Sequence, residues 1–219
     1  MRALSLTLLV SLVACSPGTS DPTLTTRGAG ESTPVRAVER LVGHLTDGEF
    51  TEAVSLVLEG QAALASLSEG VSPGEVAEAL EKGDANVAAN FWAGFAQGTG
   101  NFLLGPVGYQ GAEPVTRDGV TFEVVIVNPP DGGQREILLR EEDGGYRVDL
   151  FASFGAGLAP RMVQPVERLL GLGAEESRLV LSSLREIVPS LLVASERPGL
   201  PAESVQSILQ LVEVITRVG

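Results

Sequence analysis

Apolar positions along this chain keep a helical spacing at both ends and a strand spacing in the middle. Val35, Val38, Leu41, Val42 and Leu45 fall on one helix face, and Phe50, Ala53, Val54, Val57 and Leu58 on another. Thr33-Pro34 offers a hydroxyl cap with proline in the first turn, and Asp47-Gly48 separates these two helices. Ser72-Pro73-Gly74-Glu75 has the form of a capping box, which predicts a helix running to Lys82. Asp84 is placed to cap the next helix, which carries Phe91, Trp92 and Phe95, with Phe102 shortly after. The glycines from Gly98 to Gly111 then predict a connector or a lid.

Between Gly111 and Phe151 the spacing becomes that of strands. Pro114 to Arg117, Val120 to Val127, Gln134 to Glu141 and Tyr146 to Phe151 are separated by Asp118-Gly119, by a Pro- and Gly-rich run from Asn128 to Gly133, and by Glu142-Asp143-Gly144-Gly145. Such short turns predict a four-stranded antiparallel meander. By alternation, Val120, Phe122, Val124 and Ile126 form the buried face. Tyr146, Val148 and Leu150 are expected to meet that face, with Arg147 and Asp149 on the other side.

Beyond the meander, the small residues from Ala152 to Pro160 predict a hinge or turn. Three amphipathic helices follow, marked by Met162 to Leu170, Leu179 to Val188 and Val205 to Ile215, with a break at Pro198-Gly199-Leu200-Pro201. The expected fold class is therefore α+β: N-terminal helices packed on a curved meander over residues 34–157, then a C-terminal helical segment over 158–219. Val35 to Gly43 is echoed by Val163 to Gly171, but no second meander follows the echo. We read it as shared amphipathic composition rather than a repeat.

The amino terminus is different in kind. Met1-Arg2 begins a positive segment, and the apolar run from Ala3 to Val13 is shorter than the roughly twenty residues a spanning helix needs. The run ends in Leu12-Val13-Ala14-Cys15-Ser16, which resembles the lipobox of bacterial lipoproteins. That resemblance implies removal of residues 1–14, diacylation of the Cys15 thiol and anchoring by two acyl chains. An ordinary secretory signal with a chance cysteine is the other reading. The resemblance further implies a cell-envelope location, on the outer face of the plasma membrane or at an outer membrane, and Ser16 is compatible with the latter. Residues 15–33 then read as the lipidated cysteine and a flexible Ser-, Thr-, Gly- and Pro-rich tether.

Composition narrows the classes of partner. The 219 residues carry a formal charge of −13 without a basic cluster, which argues against nucleic acid. The single cysteine leaves no internal disulfide. His44 is the single histidine, so no multi-histidine metal site can be assembled, and no cofactor motif or Gly-x-Ser-x-Gly elbow occurs.

Helices from Pro34 to Leu58 followed by the meander from Gly111 to Phe151 resemble the cone-shaped fold of the nuclear transport factor 2-like superfamily. The resemblance implies that an enzyme of this kind would work through an Asp, His or Tyr inside the cone, for which Tyr109, Tyr146, Asp149 and His44 are the candidates. It also suggests an apolar pocket lined by Phe91, Trp92, Phe95, Phe122, Tyr146 and Phe151, although plain core burial is the first reading of such a stripe. Three functions are thus open. The leading one is a non-catalytic, membrane-anchored lipoprotein that binds an envelope protein or has a structural role. The others are a carrier or sensor of an apolar ligand such as a lipid, and a small enzyme of isomerase or dehydratase type.

Overall fold

A computed structural model describes residues 30–99, 108–129, 133–172 and 175–217. The expected signal peptide, Cys15, most of the tether, and Phe102 lie outside these residues. Among the described residues the protein is α+β, with nine α-helices and one four-stranded antiparallel sheet. The helices stand on both sides of the strands in sequence.

Helix α1 (Pro34–Asp47) starts as its sequence predicts, with the Thr33 hydroxyl accepting from Arg36 N at 3.3 Å, and it stops at Gly48 in the left-handed conformation. Helix α2 (Phe50–Ser55) is shorter than its apolar spacing suggests. Leu56 to Leu58 leave the helix and run beside the last strand, with Leu58 N donating to Val148 O at 3.0 Å and Val148 N to Leu56 O at 2.8 Å. Helix α3 (Gln61–Ala65) and a 3-10 turn (Ser66–Glu69) lead to α4 (Pro73–Glu81). Ser72 precedes α4 in extended conformation, but its hydroxyl makes no capping hydrogen bond. Asp84 does cap α5 (Ala85–Thr99), accepting from the amides of Asn86 and Val87.

The sheet runs in simple order through β1 (Gly108–Arg117), β2 (Val120–Asn128), β3 (Arg135–Glu142) and β4 (Gly145–Val148). Two tight hairpins hold it, at Asp118-Gly119 and Asp143-Gly144, where all four residues have positive φ, as a type I′ turn requires. β1 begins earlier than its sequence suggests and carries a bulge between Ala112 and Val115, where Pro114 sits on the open edge. The opposite edge, β4, is covered by Val57 and by Glu31, whose backbone exchanges two hydrogen bonds with Tyr146. Gly30 and Gly145 touch backbone to backbone there; a Cβ on Gly145 would fall 2.3 Å from Gly30 C. The stretch read as tether up to Thr33 is thus fastened to the sheet from Gly30 onward. The Glu31 carboxylate closes the staple through ion pairs with Arg36 and Arg40.

Both faces of the sheet are covered, and their roles differ from the sequence expectation. Val125, Val127, Ile137, Leu139 and Val148 share the face that joins the main core with α1, α5 and the later helices. Phe122, Val124 and Leu138 form a smaller cluster on the other face with Ala152 and Val193. Register explains the correction: Val148 pairs with Leu139, which pairs with Glu123, so Val148 lies on the side of Val125 and not of Phe122.

The last strand-like run, Tyr146 to Phe151, also ends early. Leu150 and Phe151 open α6 (Leu150–Leu172), a 23-residue helix that passes straight through the small residues read as a hinge. The reason is packing rather than propensity: Ala152, Ser153, Phe154, Leu158 and Ala159 are all buried. A Cβ on Gly155 would meet Ala194 Cβ at 2.9 Å, so the glycine permits a close helix crossing instead of a turn. The boundary expected at 157/158 falls inside α6. Its partners α7 (Glu175–Glu186), α8 (Val188–Ser195) and α9 (Ala202–Thr216) contribute Leu184, Leu191, Ile208 and Leu211 to the same main core. The C-terminal helices therefore share the core of the sheet.

The contact of Gly30 with Gly145 gives a direct check. Gly145→Ala forces backbone against backbone and is expected to cost about 1–3 kcal/mol, read as a lower urea midpoint with faster amide exchange at Tyr146. An unchanged midpoint would contradict the staple.

Candidate functional site

The densest gathering of polar side chains in the core is centred on Asp149, between the end of β4 and the start of α6. Asp149 is fully buried. Its Oδ1 accepts from the amides of Phe151 at 3.1 Å and Ala152 at 2.9 Å, the arrangement of an N-cap, and from Gln61 Nε2 at 3.1 Å. Its Oδ2 accepts from the Ser190 hydroxyl at 2.7 Å. Arg140 Nε lies 3.1 Å from the same oxygen, an ion pair whose N–H is not aligned for a hydrogen bond. The remaining amides of the first turn are also met: Leu150 N donates to Gln61 Oε1 at 2.7 Å and Ser153 N to Asp149 O at 3.0 Å. A buried carboxylate is costly unless paired and hydrogen-bonded. Here the positive end of a long helix, a guanidinium and three kinds of donor supply that pairing.

The residues around it come from four separate elements. Gln61 belongs to α3, Arg140 to β3, Asp149 to the β4–α6 junction and Ser190 to α8. A second tie runs alongside: the Ser153 hydroxyl accepts from Leu138 N at 2.8 Å and donates to Leu138 O at 3.2 Å, fastening α6 to β3. Burial lowers the guanidinium pKa of Arg197 from its ordinary value, with Glu136 opposing, and Arg197 Nη2 donates to Glu136 O at 3.0 Å.

The other residues singled out from sequence are dispersed. Phe91, Trp92, Phe95 and Phe151 belong to the main core, with Tyr146 packed against it, whereas Phe122 lies across the sheet in the smaller cluster. Phe91, Trp92 and Phe95 contact one another at centroid separations of 5.0–5.7 Å, and Phe154 of α6 stacks edge-on against Phe95 at 5.0 Å. The Trp92 indole N–H donates to Phe50 O at 3.2 Å. These are close ring-on-ring contacts of buried side chains. Phe91 also borders a groove of about 410 Å³ between the 3-10 turn, α4 and α5, floored by Val71, Val76 and Val87.

His44 lies at the end of α1, with Nδ1 2.5 Å from Glu49 Oε2 and Nε2 3.5 Å from Arg40 Nη2. It shares no partner with Asp149. Tyr109 sits on β1 opposite Val127, and burial, seconded by Glu39, raises its phenol above the ordinary 10.0. Among the described residues no group of three or more His, Cys, Asp or Glu side chains is arranged to hold a metal ion. Also among them, no helix is long and apolar enough to cross a membrane.

Sequence reading placed Asp149 on a strand face and passed over its partners. The signals were present: Gln61 and Ser190 are lone polar residues in the apolar runs Gln61-Ala-Ala-Leu and Pro189-Ser-Leu-Leu, and such residues are buried only with partners.

One surface opening, of about 480 Å³, adjoins this network through Gln61 and Arg140 and is bounded by α3, α4, β3 and α7, and one of about 250 Å³ flanks α4 on the side of α2. A third, about 530 Å³, lies on the outer face of the sheet beside Val115, Val124 and Val193. Comparison with known protein families, curated proteins and solved structures gives no match to this chain.

The Asp149 network has a graded mutational signature. Asp149→Ala is expected to destabilise by about 3–5 kcal/mol, since it strands Arg140, and Ser190→Ala by about 1–3 kcal/mol. Asp149→Asn, which keeps the cap acceptor, should fall below Asp149→Ala. Chemical denaturation of the three variants checks this order, and equal losses would contradict it.

Proposed function

We propose that this chain is a lipid-anchored protein of a bacterial envelope whose α+β domain acts by holding a protein partner or a structural position, without catalysis. The observation that carries the reading is how the domain uses its polar chemistry. Asp149, the best-placed acid among the residues considered for catalysis, spends both carboxylate oxygens on helix capping and on Gln61, Ser190 and Arg140. Its contacts are those of a helix cap and of a buried tie between elements.

The order of helices followed by a meander is the basis for the likeness to the nuclear transport factor 2-like cone. Within such a cone, a carrier would keep an apolar cavity over the sheet. Here the inner face carries Val125, Ile137 and Leu139 packed in the main core with Phe151 and Phe154. An inner face packed in this way supports a scaffold. The anchor rests on the Leu12-Val13-Ala14-Cys15 sequence, and the staple at Gly30 and Glu31 gives a tether a firm point of attachment on the domain.

Metabolic labelling with an alkyne analogue of palmitate tests the anchor. Cells expressing the full chain should yield a labelled, membrane-associated protein, and Cys15→Ser should abolish the label and release the domain from the membrane fraction. Label retained in Cys15→Ser would overturn the proposal.

A further inference from the structure

We propose that the groove between the 3-10 turn, α4 and α5 is the docking surface for a basic amphipathic helix of the protein partner, a surface that rests on the partner-holding reading and names what the partner presents. The groove measures about 410 Å³, and Val71, Val76, Val87 and Phe91 line it. Val76 and Phe91 are buried, whereas Val71, next to the left-handed Gly70, is 42% exposed. An apolar side chain seated there would take the Val71 surface out of water.

The polar lining sets the charge of the occupant. Glu69 and Glu75 border the groove. Glu69 is fixed through Oε1, which pairs with Arg161 and accepts from the Ser68 hydroxyl at 3.4 Å. Its Oε2 has no such partner among the described residues and lies beside Gly94 of α5. Glycine within a helix costs about 1 kcal/mol against alanine. At Gly94 it leaves room for this carboxylate, since a Cβ would stand 3.2 Å from Glu69 Cδ. Glu75 is exposed and, among the described residues, has no ion pair or hydrogen bond. Arg161 balances Glu69, so the charge left over at the groove is that of Glu75, and Glu69 Oε2 remains as a second acceptor.

A lysine or arginine one turn from the apolar anchor answers both groups. An occupant bearing carboxylate or phosphate would meet like charge. The walls are helices, which offer no free backbone edge for strand addition, so side chains must carry recognition, as when an amphipathic helix lies in a groove. Farther along the exposed side of α4, Glu78 is answered by Lys82 and Glu81 by no described residue, so negative charge continues past the groove. That extent suits a helix of several turns rather than a small cation.

The test uses the full chain in phosphatidylcholine vesicles and a synthetic helix of about five turns, leucine on one face and lysine on the other, with one leucine replaced by its diazirine analogue. After irradiation, digestion and mass spectrometry, adducts are expected in residues 66–76 or 87–94. A scrambled peptide of the same composition should bind about tenfold more weakly, as it presents no apolar face. Val71→Asp should weaken binding about tenfold and Glu75→Lys about fivefold, with circular dichroism and Tm unchanged. If Glu75→Lys fails to fold, Glu75→Gln is read in the same way. Glu203→Lys, which alters the net charge equally from the first turn of α9, should leave the affinity unchanged. Partition into the neutral bilayer is common to all variants and cancels in their ratios. Adducts outside these segments or none at all, a scrambled peptide that binds equally, or equal weakening by Glu203→Lys and Glu75→Lys would overturn the proposal. So would displacement of the peptide by an equal concentration of n-hexylamine, or a cross-linked dimer that Val71→Asp dissociates, since a small cation or a second copy would then be the occupant. Adducts gathered on a different surface would remove the groove and leave the partner-holding reading intact, and palmitate labelling reports the anchor separately.

Discussion

A carboxylate with no access to water sits where four elements meet, and the arrangement of the rest follows from satisfying it. Asp149 must be paired or the fold loses several kcal/mol. Satisfying it requires Gln61 from the helices before the sheet, Arg140 from within the sheet and Ser190 from the helices after it. The same carboxylate caps α6, the helix on which the C-terminal layer is built. Hydrophobic burial is non-directional and would accept many placements of α6 on the sheet. The hydrogen bonds of Asp149, Gln61 and Ser153 accept one.

Close backbone approach is the second constraint. At Gly155 the crossing of α6 and α8 leaves no room for a Cβ beside Ala194, and this brings Val193 of α8 down onto Phe122. At Gly145 the incoming chain lies directly on β4, so Glu31 and Val57 together close an edge that would otherwise expose unpaired amides. Both contacts place small residues where larger ones would separate the layers.

These two constraints also mark where sequence was legible. The meander and its Asp-Gly turns, the Thr33 and Asp84 caps and the helices before and after the sheet are local features, and each forms, although β1 begins earlier and β4 ends sooner than the spacing suggests. The α+β class follows from them. What escaped was tertiary. Ala152 to Pro160 has the composition of a hinge and becomes helix because its small side chains fit a crossing. Leu56 to Leu58 continue a helical spacing and become strand-like because β4 needs a neighbour. The buried face was assigned to Phe122 because alternation alone cannot rank two covered faces, and Phe122 was grouped with Phe91, Trp92 and Phe95, from which the sheet divides it. The Asp149 network was missed since its members are 88 and 41 residues away in sequence from their acceptor.

The interior engages its own acid, and large apolar side chains stay exposed at Val71 and Leu179 near α4 and at Val115 and Leu209 elsewhere. The junction is the central claim, and native-state hydrogen exchange of Leu150, Phe151 and Ala152 tests it most directly. The account predicts that these helix-start amides exchange only through global unfolding, with the free energy and denaturant dependence of the slowest amides in β2 and β3. Exchange through local fraying at a free energy well below the global value would contradict it.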